Sequence, residues 1–183
     1  MNVKKYMCLA GLFFPIAAMA QQDKTLCDFE TPESYVSVRA YDTCPTSPFN
    51  LSKLTGNVQV VENDLNQMDE ALGYAPNEST KILGIQRSRY GSNTFGALVE
   101  LKEPLALKRE TQYVHVKFYS TQDAPVMLIG LGNREDRPWQ PATTEQFWSV
   151  PTSKVAAGAW QDVVFPIMGA NGINIKSLLV VVD

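Results

Sequence analysis

Two stretches of this chain place an aromatic ring beside guanidinium groups. The first is Arg89-Tyr90, with Asn93 close by in the polar run Ser88-Arg89-Tyr90-Gly91-Ser92-Asn93. The second holds Arg134, Arg137 and Trp139 in the segment from Gly132 to Gln146. A ring face stacks on C–H surfaces, and a planar polar group beside it pairs with hydroxyls; the combination suits a sugar. An arginine fork also pairs bidentately with a carboxylate such as a uronate. The alternative for Trp139 is packing under its loop against a sheet edge, with the arginines solvated.

Catalytic chemistry is less well provided for. A Ser-His-Asp or Cys-His device needs a histidine, and the one in the chain is His115, between Val114 and Val116. A histidine inside a regular alternation reads as structural. No G-x-S-x-G elbow occurs, and no helix pattern follows Gly130-Leu131-Gly132 to make a phosphate-binding loop. Glycoside hydrolysis needs two carboxylates across a cleft. Acidic residues are plentiful, and nothing in their spacing singles out a pair.

The elements that must position these residues are strands. Lys81 to Leu101 reads KILGIQRSRYGSNTFGALVEL, two apolar runs around a polar turn, which predicts a long β-hairpin. In Gln112 to Tyr119, Val114, Val116 and Phe118 share one face while His115 and Lys117 take the other. Val126 to Leu131 is apolar at every position and predicts an interior strand. Tyr35 to Ala40, Val58 to Val61, Phe147 to Val150, Trp160 to Ile167 and Ile175 to Val182 read as further strands, with Trp160 expected in the core beside Val163 and Phe165. Glu62 to Thr80 is polar, with one or two helical turns expected between Asn63 and Leu72. Many short strands without a long amphipathic helix predict an all-β fold, a single β-sandwich or jelly roll.

The chain has 183 residues and a formal net charge of -3. Lys4 and Lys5, the apolar run Met7 to Ala17 and the motif Ala18-Met19-Ala20 form the pattern of a cleavable export signal over residues 1–20. That run is shorter than the ~20 residues of a spanning helix, so stable membrane insertion is not expected. The expected mature chain, 21–183, is about 160 residues, one domain's worth, and two charge units more negative. That balance argues against nucleic acid as the main partner, which would call for a basic face, and leaves room for local basic patches. Export would leave Cys27 and Cys44 as an even pair, which predicts a disulfide worth on the order of 3 kcal/mol; two buried thiols are the alternative.

Several segments in order resemble a known family: CDFE, KILGIQRSRYGSNTFGALVEL, YVHVKFY, PVMLIGLG, WQDVVFPI and LLVVVD. They resemble the galactose-binding-domain-like jelly-roll modules of exported bacterial glycan-utilisation proteins. The resemblance implies a non-catalytic carbohydrate-binding module, exported to the periplasm or beyond, with a glycan or polysaccharide as partner. The ligand surface would be built from Arg89, Tyr90, Asn93, Arg134, Arg137 and Trp139, with both loops on one side of the sandwich. Members of this broad fold often carry a structural calcium where the chain ends meet, for which Asp28, Glu30 and Asp183 are the oxygen donors here. No other cofactor is expected. The alternatives are a structural or protein-interaction module of the cell envelope and, ranked below it, a small glycan-active enzyme.

Overall fold

A computed structural model describes residues 24–43, 56–65, 77–88 and 92–182. Among them are nine strands: β1 (Tyr35–Asp42), β2 (Gly56–Glu62), β3 (Lys81–Arg87), β4 (Phe95–Ala106), β5 (Gln112–Tyr119), β6 (Val126–Arg134), β7 (Glu145–Ser149), β8 (Trp160–Ile167) and β9 (Ile173–Val182). The protein is a β-sandwich. One layer is a five-stranded antiparallel sheet in the order β1-β4-β9-β6-β7. The facing layer consists of two two-stranded pieces, β2-β3 and β5-β8.

Unbroken apolar runs, Phe95 to Val99 in β4, Val126 to Leu131 in β6 and Leu178 to Val182 in β9, put these strands in the middle of the large sheet, where both faces need cover. Alternate side chains of these strands point into the sandwich. Leu101, Val126, Leu128, Ile175 and Leu178 meet Val114, Val163, Phe165 and Ile167 from β5 and β8. The intervening residues Leu98, Ile129, Leu131, Leu179 and Val181 form a second cluster on the opposite face. The register runs Arg39, Leu98, Leu179, Ile129 and Trp148 straight across that outer face. Gly130 is needed for close approach, because a Cβ there would run into the ring of Phe147.

The expected hairpin between β3 and β4 does not form. β3 pairs with β2, whereas β4 pairs with β1 and β9. The reason lies in Phe95 to Leu101, where both alternations are buried except at Glu100. Such a strand needs a partner on each side, so the chain crosses from one layer to the other at the polar turn. Asn63 Oδ1 accepts from Leu65 N at 3.1 Å, the bond a helix cap makes, and its amide donates to Ser79 O at 2.8 Å. Residues 66–72 lie outside the described residues.

Trp160 is buried, but on the β8 face opposite Val163 and Phe165. It pairs with Tyr119, their rings 5.6 Å apart, and its Nε1 donates to Leu65 O at 3.1 Å. Sequence spacing already implied this, since positions 160 and 163 differ in parity.

Among the described residues the second layer is open between β3 and β5. A cleft of about 1760 Å³ lies there, lined by both strands and floored by the large sheet. All three inward residues of β5 border it: Val114 is buried, and Val116 and Phe118 are half-buried. Phe118→Ala is therefore expected to cost about 1–2 kcal/mol, less than a fully enclosed phenylalanine, whose truncation costs about 3–5. Chemical denaturation measures it; a loss above 3 kcal/mol would mean that the cleft is closed in solution.

Candidate functional site

The corner between β6 and β7 presents the second aromatic-basic stretch. Its backbone is a chain of tight turns: Arg137 N donates to Arg134 O, Gln140 N to Arg137 O, and Thr144 N to Pro141 O, each at 3.1 Å. Proline at 138 and 141 suits such bends. Beneath the turns lies Asn133, 1% exposed. Its side-chain amide donates to Pro138 O at 3.2 Å and to Gln140 O at 3.0 Å. These are the carbonyls on either side of Trp139. The backbone on both sides of Trp139 is thus pinned, and the indole projects outward from it, 76% exposed. The alternative of Trp139 packing under the loop does not hold.

Arg134 is less available than its position suggests. Its Nε donates to Asp136 Oδ1 at 2.9 Å, and this contact holds the Asp136 carboxyl below the ordinary carboxylate range. Arg137 and Trp139 are exposed beside them, and Glu135, Asp136 and Glu145 supply negative charge at the same corner. On the adjoining edge strand β7, Gln146 and Trp148 share the outward face, with Trp148 Nε1 donating to Gln146 Oε1 at 3.2 Å. Trp148 is half-exposed and ends the apolar row across the outer face. Asn133, Gln146 and Trp148 were missed as functional candidates. The signal for Trp148 was its adjacency to Phe147: neighbours on a strand point opposite ways, and Phe147 packs on the core.

Asn93 does not join this corner. It is exposed in the turn before β4, where Phe95 N donates to Ser92 O and Thr94 Oγ1 donates to Asp42 Oδ1 at 2.6 Å. β4 begins at the end of the large sheet that holds Val181 and Met127, since Gly96 pairs with Val181 and Val181 with Met127. Arg134 pairs with Ile173 at the other end. At about 3.3 Å per residue, the step from Met127 to Arg134 is about 23 Å. The expectation of one surface is therefore corrected: Asn93 and the Arg134 to Trp139 corner lie at opposite ends. Arg89 and Tyr90 lie outside the described residues.

The proposed calcium donors have other occupations. Asp28 Oδ1 accepts from Glu30 N at 3.1 Å and from Thr31 N at 3.4 Å. Glu30 accepts from the Thr80 hydroxyl at 2.6 Å and from Lys81 N at 3.1 Å, bonds that hold its carboxyl below the ordinary glutamate range and tie the segment before β1 to β3. Asp183 lies outside the described residues. Among those described, no three His, Cys, Asp or Glu side chains gather as a metal site. The expected Cys27–Cys44 bridge is not seen, and Cys27 carries a free thiol. Burial raises the pKa of that thiol and keeps it protonated, 3.7 Å from Ser34 Oγ; Cys44 lies outside the described residues. His115 Nδ1 lies 2.7 Å from Asp162 Oδ2, an exposed cross-strand pair on the face of β5 and β8 away from the core. No described helix is long and apolar enough to cross a membrane.

Comparison with protein-family models, curated proteins and solved structures finds no match.

Proposed function

We propose that this chain is an exported, non-catalytic glycan-binding module of the galactose-binding-like jelly-roll type, with its ligand at the β6–β7 corner. The observation that carries the reading is Trp139: a large ring, 76% exposed, on a backbone held from both sides by a buried asparagine. An indole presented in this way offers a stacking face, and a loop fixed in advance loses little entropy on binding. Gln146, Arg137 and the Arg134–Asp136 pair supply planar hydrogen-bonding groups around it. The export proposal rests on the basic start, the apolar run and Ala18-Met19-Ala20.

The charges at the corner favour a neutral glycan. Arg134 is engaged by Asp136, whose carboxylate also feels Arg137, and Glu145 adds a further negative charge near Arg134. A uronate would meet carboxylates there instead of open guanidinium groups. The test is calorimetric titration of the 21–183 chain with cellohexaose, xylohexaose, mannohexaose, laminarihexaose and polygalacturonate. A neutral member is expected to bind with an affinity changing less than about twofold between 50 and 500 mM salt, because screening acts on charge pairs. Absence of binding to every member removes the reading. Binding of polygalacturonate alone, weakened by salt, overturns the neutral assignment. The protein-interaction alternative draws on the cleft between β3 and β5.

A further inference from the structure

The lining of the cleft reveals how its walls are made. Over the middle of the floor every second residue contributes, Val99 and Leu101 from β4, Val126 and Leu128 from β6, Leu178, Val180 and Val182 from β9, and only at the far end of β4 do consecutive residues, Pro104 to Ala106, border it. That alternation means the large sheet meets the cleft with its face. On the walls the lining is continuous, residues 81–88 on one side and 111–122 on the other. When both alternations of a strand line a space, its backbone edge faces that space. β3 pairs with β2 and β5 with β8 among the described strands, so each turns an edge without a ladder partner toward the cleft. Unpaired N–H and C=O groups along an edge are a template for another strand.

The size argues in the same direction. A small-molecule pocket holds about 300–1,000 Å³, and this cleft of about 1760 Å³ exceeds it. The apolar floor calls for alternate apolar side chains on whatever occupies it. The rim adds a charge preference. Lys81, Lys108 and Lys117 border the cleft without an ion pair among the described residues, against Glu110. Asp162 is taken by His115, and Asp28 by its own turn. The same lysines would repel one another in a self-paired dimer, a common protection of sheet edges.

We propose that this cleft accepts an extended polypeptide segment of a partner protein, alternating apolar and acidic residues, which adds as a strand to the edge of β5. Main-chain hydrogen bonds to the edge provide affinity, the apolar residues cover Val116, Phe118 and the floor, and the carboxylates face the lysine rim. This is strand addition, a recurrent mode of peptide recognition. It is separate from the glycan corner and does not depend on it.

The probe is an eight-residue peptide, (Glu-Val)4, matched to the length of β5. Fluorescence polarisation follows its binding to the 21–183 chain, and amide hydrogen exchange locates it. Saturable binding is expected, with slowed exchange in residues 112–119. N-methylation at alternate residues of the peptide and the exposed substitution Lys117→Glu are each expected to weaken it at least about tenfold, as is replacement by (Lys-Val)4. Absence of binding overturns the proposal. So does equal binding of the N-methylated or (Lys-Val)4 peptide, which would show an apolar sink without strand pairing. Concentration-dependent dimerisation that protects 112–119 would assign the cleft to a second copy and overturn it as well.

Discussion

Phe165→Ala is expected to lower the stability of the domain by about 3–5 kcal/mol, a large part of the 5–15 kcal/mol that a domain of this size holds. Phe165 is 0% exposed and sits on β8 between Val163 and Ile167, facing the inner side of the large sheet. It joins the two layers where the second layer is closed. The open cleft beside β5 leaves fewer contacts elsewhere to compensate. The cost has two parts: the transfer of the ring's apolar surface, and the cavity that the surrounding strands cannot collapse to fill. Urea unfolding of the 21–183 chain measures it. A loss under about 1 kcal/mol would mean that β8 packs in another register. Phe118→Ala, on the half-open part of the same core, provides the internal contrast.

Asn133→Ala is expected to weaken glycan binding nearly as much as removal of the indole itself, although Asn133 touches no ligand. Its amide holds Pro138 O and Gln140 O, and through them it fixes the direction of Trp139. Without it the two carbonyls turn to water and the ring samples many orientations. Stability should fall by about 1–3 kcal/mol, the cost of unpairing buried polar groups. Asn133→Asp should be worse, because a carboxylate cannot donate and would face two carbonyl oxygens from a buried position. Asn133 is a positioning residue, and a double-mutant cycle distinguishes that from a general loss of structure. In a Trp139→Ala background, Asn133→Ala should change affinity by less than about twofold while still lowering stability. An undiminished affinity loss in that background would mean that Asn133 acts through something other than the indole.

The layers of the sandwich were legible in the sequence because strand physics is local. The alternation in Gln112 to Tyr119 identified the inward face of β5, and the unbroken apolar run in β6 identified an interior strand. Strand partners were not legible to the same degree. Lys81 to Leu101 has the pattern of a hairpin, and only the burial of both faces of β4 shows why it pairs elsewhere. That Asn93 lies far from the Arg134 to Trp139 loop was not legible, because relative position along a sheet is set by register, which joins Gly96 to Val181 and Arg134 to Ile173. Trp139 was identified by its setting between prolines and arginines. Asn133 was hidden, since an asparagine at the end of a strand carries no mark of the loop it will hold. Asp28 and Glu30 were recognised as oxygen donors, but their roles in a turn and in anchoring β3 depend on Thr31, Thr80 and Lys81, reached only in the fold.

The central claim is that Trp139 is a preorganised platform for a neutral glycan. The most direct measurement is calorimetric titration of wild type and Trp139→Ala with whichever neutral hexasaccharide binds tightest, alongside melting curves of both proteins. A stacked indole contributes its buried area and about 0.5–1.5 kcal/mol from ring geometry, so the variant should bind at least about tenfold more weakly. Its melting temperature should stay within about 2 °C, because a side chain exposed in a loop contributes little to the core. Equal affinity in wild type and Trp139→Ala would contradict the account and remove the β6–β7 corner as the ligand site.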